Sequence, residues 1–469
     1  MQRFTKQIVA AVVAIVAITS VAADVYVTPA SSWRRMSYLE PPRSEKIITF
    51  NTDTLFNHPT KAPVSLYAKP IANWERSEQQ GADTIFNGRF TFPHEWLGRE
   101  VILRLEYVDA PYIVMVNDEF VGYSNNGNTP TEFNLTDKSK NGLNHVTIEL
   151  SPNAEVRKIE SWRKSNWDKK QSVEKIIRGA MVMSPAKMTM RDVYVKSYPP
   201  IEGQISAEIG VALKSYNLGE RVSKLHYNLR DSEGKLIAYG NEDRTLRLRG
   251  EDTIRINTII SDEIAWSNKS PNRYMLDLRL VYDGRNMEFL HVPIAMRSVE
   301  MQSAIKDGAE RNILVINGKE QPLTYSKVKP TATEQEIAAL LQKGVNTVVI
   351  SAGEHPGKLL DICDSLGMYS IITAPINSSV AGKKITKGGN PSNDPRWISE
   401  YMARVENAYH VAKMHPSLIA IAIAESSRNG YNLYEAYVRM KKLDTGLPIL
   451  YFDVDGEWNS DNLYFQNTK

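Results

Sequence analysis

The chain has 469 residues, of which 42% are apolar and 24% charged, with 57 basic against 54 acidic side chains. That length allows about two to four domains, each large enough for its own core. A net charge of +3 gives no basic field of the kind that marks a nucleic-acid partner. The 22 tyrosines and 8 tryptophans suit sheet packing, and they also suit the stacking surfaces of sugar-binding proteins.

Arg3 and Lys6 precede the uncharged apolar stretch Ile8–Ile18, and Val21-Ala22-Ala23 forms a small-residue cleavage site before Asp24. This pattern reads as a signal peptide over residues 1–23, with an apolar part too short to span a bilayer. After cleavage, no membrane-spanning segment is expected. No cysteine stands directly after the cleavage site, so no lipid attachment of the bacterial lipoprotein kind is expected. Cys363 is the only cysteine, so no intramolecular disulfide forms and stability must come from the cores. An exported chain of this kind suits the bacterial periplasm or outer cell surface.

Residues 24 to 84 are Pro-rich and punctuated by Trp33, Tyr38, Tyr67 and Trp74. They read as a strap over a sheet domain. From 85 onward short strands recur: Ile85–Phe92, Val101–Val108, Tyr112–Val116, Val121–Ser124 and Thr129–Phe133. Such spacing predicts a β-sandwich, and the first domain runs over 24–198. A second sheet domain follows at 199–299, with a strand at Leu225–Arg230, a turn at Asp231–Lys235 and a further strand within Pro271–Leu280.

The pattern changes over 300–469. Strands at 322–328, 346–350, 368–374, 418–424 and 448–452 alternate with helices at 334–342, 358–366, 396–414 and 433–442. This is the parallel order of a TIM barrel, with five strands where a closed barrel has eight. An open sheet of that kind leaves two edges and part of its inner face exposed. We expect a protein partner, a second copy or the chain's own N-terminal segment to cover them.

One stretch organises this last domain, HPSLIAIAIAESSRNGYN at residues 415–432. Leu418–Ala424 has no polar face and reads as a buried strand. Polar residues Glu425 to Gly430 follow, and then a helical pattern through Tyr431, Leu433, Tyr434, Tyr437, Val438 and Met440. The C-terminal end of a strand is where a parallel barrel carries its active site.

The stretch resembles the acid/base segment of glycoside hydrolase family 2, the β-galactosidase and β-glucuronidase family. There His-Pro-Ser and an apolar strand lead into Gly-Asn-Glu and then Asn-Gly-Tyr-Asn. The Glu of the Asn-Glu pair is the general acid/base. Matching His415-Pro416-Ser417 and Asn429-Gly430-Tyr431-Asn432 without a gap places the family's Asn on Glu425 and its catalytic Glu on Ser426. The first domain is similar to the family's N-terminal jelly roll through Phe92-Pro93, Trp96, Gly98-Arg99, Asn117, Val121–Ser124, Thr129-Pro130, Glu132-Phe133 and Arg191–Tyr194. Trp266-Ser267, Pro271-Asn272 and Tyr274 resemble the end of its immunoglobulin-like domain. The resemblance implies a multidomain chain: an all-β jelly-roll sandwich, an immunoglobulin-like β-sandwich, then an incomplete TIM-barrel-like α/β domain.

Retaining glycosidases place two carboxyl groups about 5–5.5 Å apart. A serine hydroxyl at 426 does not protonate a leaving alkoxide as a carboxylic acid does. The family's nucleophile lies on a later barrel strand than this sequence reaches. Other landmarks differ as well. Leu323–Val328 lacks the family's Asn-Arg-His, Ala352–Pro356 replaces Ser-His-Tyr-Pro, and Thr373–Asn377 replaces Asp-Glu-x-Asn. The expectation is a catalytically inactive relative that serves as a binding or scaffolding component of the bacterial cell envelope. Two alternatives stand beside it. One is an active β-galactosidase-type O-glycosyl hydrolase with Glu425 and Glu457 as its carboxylates. The other is a non-catalytic glycan-binding protein using Trp162, Trp167, Tyr123 and Asn429. Trp162 and Trp167 lie in Glu160–Lys170, which is basic where the family is acidic. His410 and His415 have no acidic company in sequence that suggests zinc. Gly388-Gly389 lacks the strand-before, helix-after context of a phosphate loop. No metal or cofactor is expected.

Overall fold

The computed structural model describes residues 68–78, 84–126, 128–150, 156–162, 173–354, 356–381, 390–444, 446–452 and 460–466. The signal peptide, most of the strap, Trp167, His355, Gly388-Gly389 and Glu457 lie outside the described residues.

The first β region comprises β1 (Ala68–Pro70), β2 (Glu75–Glu78), β3 (Thr84–Phe92), β4 (Ile102–Val108), β5 (Tyr112–Val116), β6 (Glu119–Ser124), β7 (Thr131–Asn134), β8 (Gly142–Leu150) and β9 (Ile177–Met183). They form two sheets, ordered β2-β3-β8-β5-β6 and β1-β9-β4-β7. Alternation drives the packing: Phe86, Phe90 and Phe92 of β3 point inward while Arg89 and Thr91 face water. Phe86, Val114 and Ile148 from one sheet share a core with Leu103, Phe133 and Val182 from the other.

The second β region comprises β10 (Met188–Ser197), β11 (Gln204–Ser215), β12 (Arg221–Arg230), β13 (Leu236–Leu246), β14 (Glu251–Ser261), β15 (Tyr274–Tyr282) and β16 (Arg285–Ile294). Its sheets are ordered β10-β11-β14 and β13-β12-β15-β16. The sequence reading keeps Arg191–Tyr194 in the first domain, with a boundary at 198. The hydrogen bonds differ: β10 pairs along its length with β11, from Met188↔Ser215 to Ser197↔Ala207. Alternation tells which face of a strand is buried, not which sheet the strand joins. The short connection from Tyr198 to Gly203 makes β11 the nearest partner.

A hairpin of β17 (Val299–Lys306), β18 (Ala309–Ile316) and the short β19 (Lys319–Gln321) leads into the α/β region. There β20 (Tyr325–Val328), α1 (Glu334–Gln342), β21 (Thr347–Ile350), α2 (Gly357–Leu366), β22 (Tyr369–Thr373), α3 (Ile398–Ala412), β23 (Leu418–Glu425), α4 (Tyr431–Leu443) and β24 (Ile449–Phe452) alternate. The five strands are parallel and lie in sequence order. Thr333 and Glu336 form a capping box that starts α1. Gly367 ends α2 at φ +71, and a Cβ there would lie 2.3 Å from the Asn268 carbonyl oxygen. Among the described residues, no helix is long and apolar enough to cross a membrane.

Both faces of this sheet are buried, as parallel strands require. Val348, Ile350, Ile372, Ile421, Ile423 and Ile449 pack against the helices through Leu359, Cys363, Tyr401, Val405, Leu433 and Met440. The inner face corrects an expectation. Val349, Ile371, Ala420, Ala422 and Leu450 are buried, not exposed. Trp266, Leu314 and Ile316 cover them from the preceding regions, together with Leu323 and Leu463. Apolar surface of that size does not stay wet when the chain itself can reach it.

Residues Asp461–Gln466 join the two edges of the sheet. Asp461 donates its N–H to the Ile449 carbonyl (2.8 Å), Tyr464 to that of Asn312 (2.7 Å) and Gln466 to that of Leu323 (2.8 Å). The Phe465 ring lies 4.9 Å from Tyr325 of β20 and 6.3 Å from Phe452 of β24. Phe465→Ala should therefore cost about 2 kcal/mol, a half-buried share of the usual core penalty. Urea unfolding monitors this, and an unchanged midpoint would show that Phe465 does not hold the edges together.

Candidate active site at the barrel mouth

The C-terminal ends of β22, β23 and β24 meet at one mouth. Asn377, four residues beyond β22, forms parallel bridges to Glu160 on one side and Glu425 on the other. Asn377 donates its N–H to the Ile159 carbonyl (2.8 Å), and Ser161 donates to the Asn377 carbonyl (3.0 Å). The Ile159–Ser161 stretch of the first β region thus extends the sheet at the C-terminal end of its strands.

A buried ion network sets this insertion. Arg404 of α3 donates from Nη2 to Glu160 Oε1 (2.7 Å) and from Nη1 to Glu400 Oε2 (2.5 Å). It also donates to the Asn125 carbonyl (3.0 Å), and the Asn125 amide returns a bond to Glu400 Oε1 (3.0 Å). All three charged side chains are 0% exposed. Burial alone would lower the Arg404 pKa, but the two carboxylates outweigh it and raise the value. Sequence reading missed this set. Its signal was Glu400 and Arg404 on the same helix face as Tyr401, Val405 and Ala408, where a solvated pair has no place.

Ser426, the position of the family's acid, follows β23 directly and adopts φ +45. That left-handed conformation is uncommon for a serine and marks a tight turn. Its N–H donates to the Phe452 carbonyl (3.0 Å), tying it to β24. Glu425 is half-buried, and the Asn377 amide donates to its Oε1 at 3.4 Å. Of the carboxylates named from sequence, the described residues thus place one, Glu425, at the mouth.

The proposed binding residues separate. Trp162 is half-buried in the turn after Ser161 and lies on the mouth's rim. Tyr123 is 4% exposed and offers no open ring face, which corrects its assignment as a stacking surface. Asn429 is buried, with its Oδ1 accepting from the Gly430 N–H (2.9 Å). The Asn429–Asn432 motif ties a neighbouring loop to α4. Asn432 donates to the carbonyls of Pro391 (2.8 Å) and Asp394 (2.9 Å). A Cβ on Gly430 would meet Asn393 Oδ1 at 2.6 Å. These residues explain why the scaffold needs the motif whether or not chemistry occurs beside it.

Asp361, Asp364 and His415 bring possible ligand atoms within 4.8 Å of one another, a proximity that sequence spacing did not suggest. Asp364 already spends its oxygens on His415 Nδ1 (2.7 Å) and the Ser417 N–H (3.0 Å). A cleft of about 960 Å³ lies away from the mouth, between the second β region and the N-terminal ends of β23 and β24. Its carboxylates are engaged internally: Asp192 with Lys413 (2.5 Å) and Glu406 with Arg439 (2.6 Å).

Comparison with known proteins matches residues 319–467 to the glycosyl hydrolases family 2, TIM barrel domain. A β-galactosidase of Priestia megaterium is 25% identical over 380 residues, covering 76% of this chain and 35% of that protein. The β-galactosidase large subunit of Latilactobacillus sakei is 22% identical over 359 residues, 74% of this chain and 54% of its own length. The chain therefore spans between about a third and a half of these relatives. A putative β-galactosidase from Bacteroides fragilis shares the fold at a TM-score of 0.61 and 16% identity, over 81% of this chain and 58% of that one. A β-D-mannosidase from Dictyoglomus thermophilum does so at 0.62 and 16%, over 79% and 51%. Residues 319–467 thus belong to the TIM barrel domain family of glycosyl hydrolases family 2, and the chain as a whole is similar to that family in its relatives and in its mostly β, multidomain architecture.

Proposed function

We propose that this protein is a non-catalytic member of its family, exported through the signal peptide at 1–23 and used as a binding or scaffolding component of the bacterial envelope. The observation that carries the reading is Ser426. The position of the family's acid holds a hydroxyl in a left-handed turn, and a hydroxyl is no general acid for a leaving alkoxide. In this reading the first β region is the family's jelly roll and the second its immunoglobulin-like sandwich. This reading includes a protein partner or a second copy, and the mass of the native assembly tests for it.

One observation favours a second reading. Glu425 stands at the mouth beside the Asn377 amide, and a β-galactosidase-like hydrolase could use it as acid. A third reading, glycan binding without turnover, draws on Trp162 at the rim. Hydrolysis of a nitrophenyl β-galactoside separates them. We expect no release above buffer from the full chain, and none from Glu425→Gln. Turnover that is lost in Glu425→Gln would replace the first reading with the second.

A further inference from the structure

The outward face of the sheet β13-β12-β15-β16 carries two cross-strand rows. The register aligns Tyr239, Asn228, Asp277 and His291 in one row, and Asn241, His226, Arg279 and Phe289 in the next. Leu225, Leu229, Leu276, Leu278 and Leu290, of the other parity, fill the core. Alternation therefore points both rows away from it. The rows stand roughly 7 Å apart along the strands, and neighbours within a row about 5 Å. Between them lies a slot of about 370 Å³ that crosses four strands.

A solvated sheet face accounts for polar residues here. It does not account for the aromatics. Phe289 on β16 lines one end of the slot but is 2% exposed, its ring closed off from an incoming ligand. Tyr239 at the other end is left 73% exposed. The walls between them are planar polar groups. Asn228, Asn241, His226 and Arg279 supply donors, while Asp277 and the two amides supply acceptors. The formal charges of Asp277 and Arg279 cancel. Burial, with the Arg279 and Lys224 cations, holds the His226 imidazole below its usual range. Asp277 is fixed by His291 Nδ1 at 2.6 Å and by Arg230 at 3.6 Å.

A slot with one exposed aromatic ring, Tyr239, at its end and mixed donors and acceptors along both walls matches a polyhydroxylated ring. Each hydroxyl both donates and accepts, and the ring's C–H face stacks on an aromatic side chain. The slot spans roughly 14 Å across the strands, room for two to three sugar units. We propose that it binds an uncharged oligosaccharide, at a site separate from the barrel mouth. The proposal does not depend on whether the mouth turns a sugar over.

The test is calorimetric titration of the full chain with neutral gluco-, galacto-, manno- and xylo-oligosaccharides of about two to six units. At least one series should bind with a Kd between roughly 10 μM and 1 mM. Tyr239→Ala and Asn228→Ala should each weaken it about tenfold or more. Tyr239→Phe should retain it, and Trp162→Ala at the mouth should leave it unchanged. Tyr239 is exposed, so its variants should melt with wild type. Binding that survives Tyr239→Ala within about twofold, or loss caused by Trp162→Ala instead, would overturn the assignment. So would a panel in which no member binds.

Discussion

Arg404→Met should lower the unfolding free energy by about 3–5 kcal/mol. The variant keeps most of the side-chain volume and removes the cation. Glu160 and Glu400, both fully buried, are then left without their common partner. An uncompensated buried carboxylate costs several kcal/mol, more than the pair ever contributed as a pair. The loss should also be local. Glu160 comes from the first β region and Arg404 from α3, so the Ile159–Ser161 stretch loses its anchor beside Asn377. Trp162 fluorescence should shift at denaturant concentrations below the main transition. Arg404→Lys keeps a charge but not the fork that reaches Glu160, Glu400 and the Asn125 carbonyl together. It should lose roughly half as much. Adding Glu160→Gln and Glu400→Gln to Arg404→Met should recover most of the loss, because a neutral set carries no orphaned charge. A single variant within about 0.5 kcal/mol of wild type would show that water reaches these groups.

Glu288→Gln should raise stability at pH 8 and hardly change it at pH 5. Burial pushes the Glu288 carboxyl up to about 7, despite bonds from Thr189 Oγ1 (2.6 Å) and the Met190 N–H (2.8 Å). The sign follows from linkage. Below the unfolded value near 4.5 the group is protonated in both states and exacts no penalty. As pH rises toward 7 the unfolded chain releases its proton more readily than the folded one, and folding stability falls. Above about 7 the loss is complete, at about 3 kcal/mol. Gln removes this dependence but presents an amide to neighbours that donate, which offsets part of the gain. The difference between Gln and wild type, measured by denaturant unfolding from pH 5 to 8, should grow with pH and level off near 7. A difference that stays flat across that range would mean Glu288 is hydrated and not desolvated.

Much of the α/β region was legible because its signals are strong. Apolar runs such as Leu418–Ala424, bounded by amphipathic helices, leave little choice of element or order. Strand and helix ends there fall within three residues of the sequence reading. The first β region was read for the same reason, from alternation such as that of Thr84–Phe92. Pairing was harder: nothing within Met188–Ser197 says that it belongs with Gln204–Ser215. The candidate site was legible as a motif but not as an environment. Matching Asn429–Asn432 located Ser426, yet the Arg404 network joins chain segments more than two hundred residues apart. Local sequence carries no record of such contacts. Two exposed rows on a sheet face were legible only after the register of three strand pairs was known.

The segment Asp461–Gln466 has a kinetic consequence. It joins Ile449 to Asn312 and Leu323, residues that precede it by about 140 to 150 positions. Loops of that length close slowly, and parallel pairing already raises contact order. We therefore expect the curl of the barrel sheet to be completed late, which hydrogen-exchange labelling during refolding would check at the Tyr464 and Gln466 amides. Until then, the inner face around Val349 and Leu450 is a sticky surface, and the interval before this closure is when the chain is most exposed to aggregation.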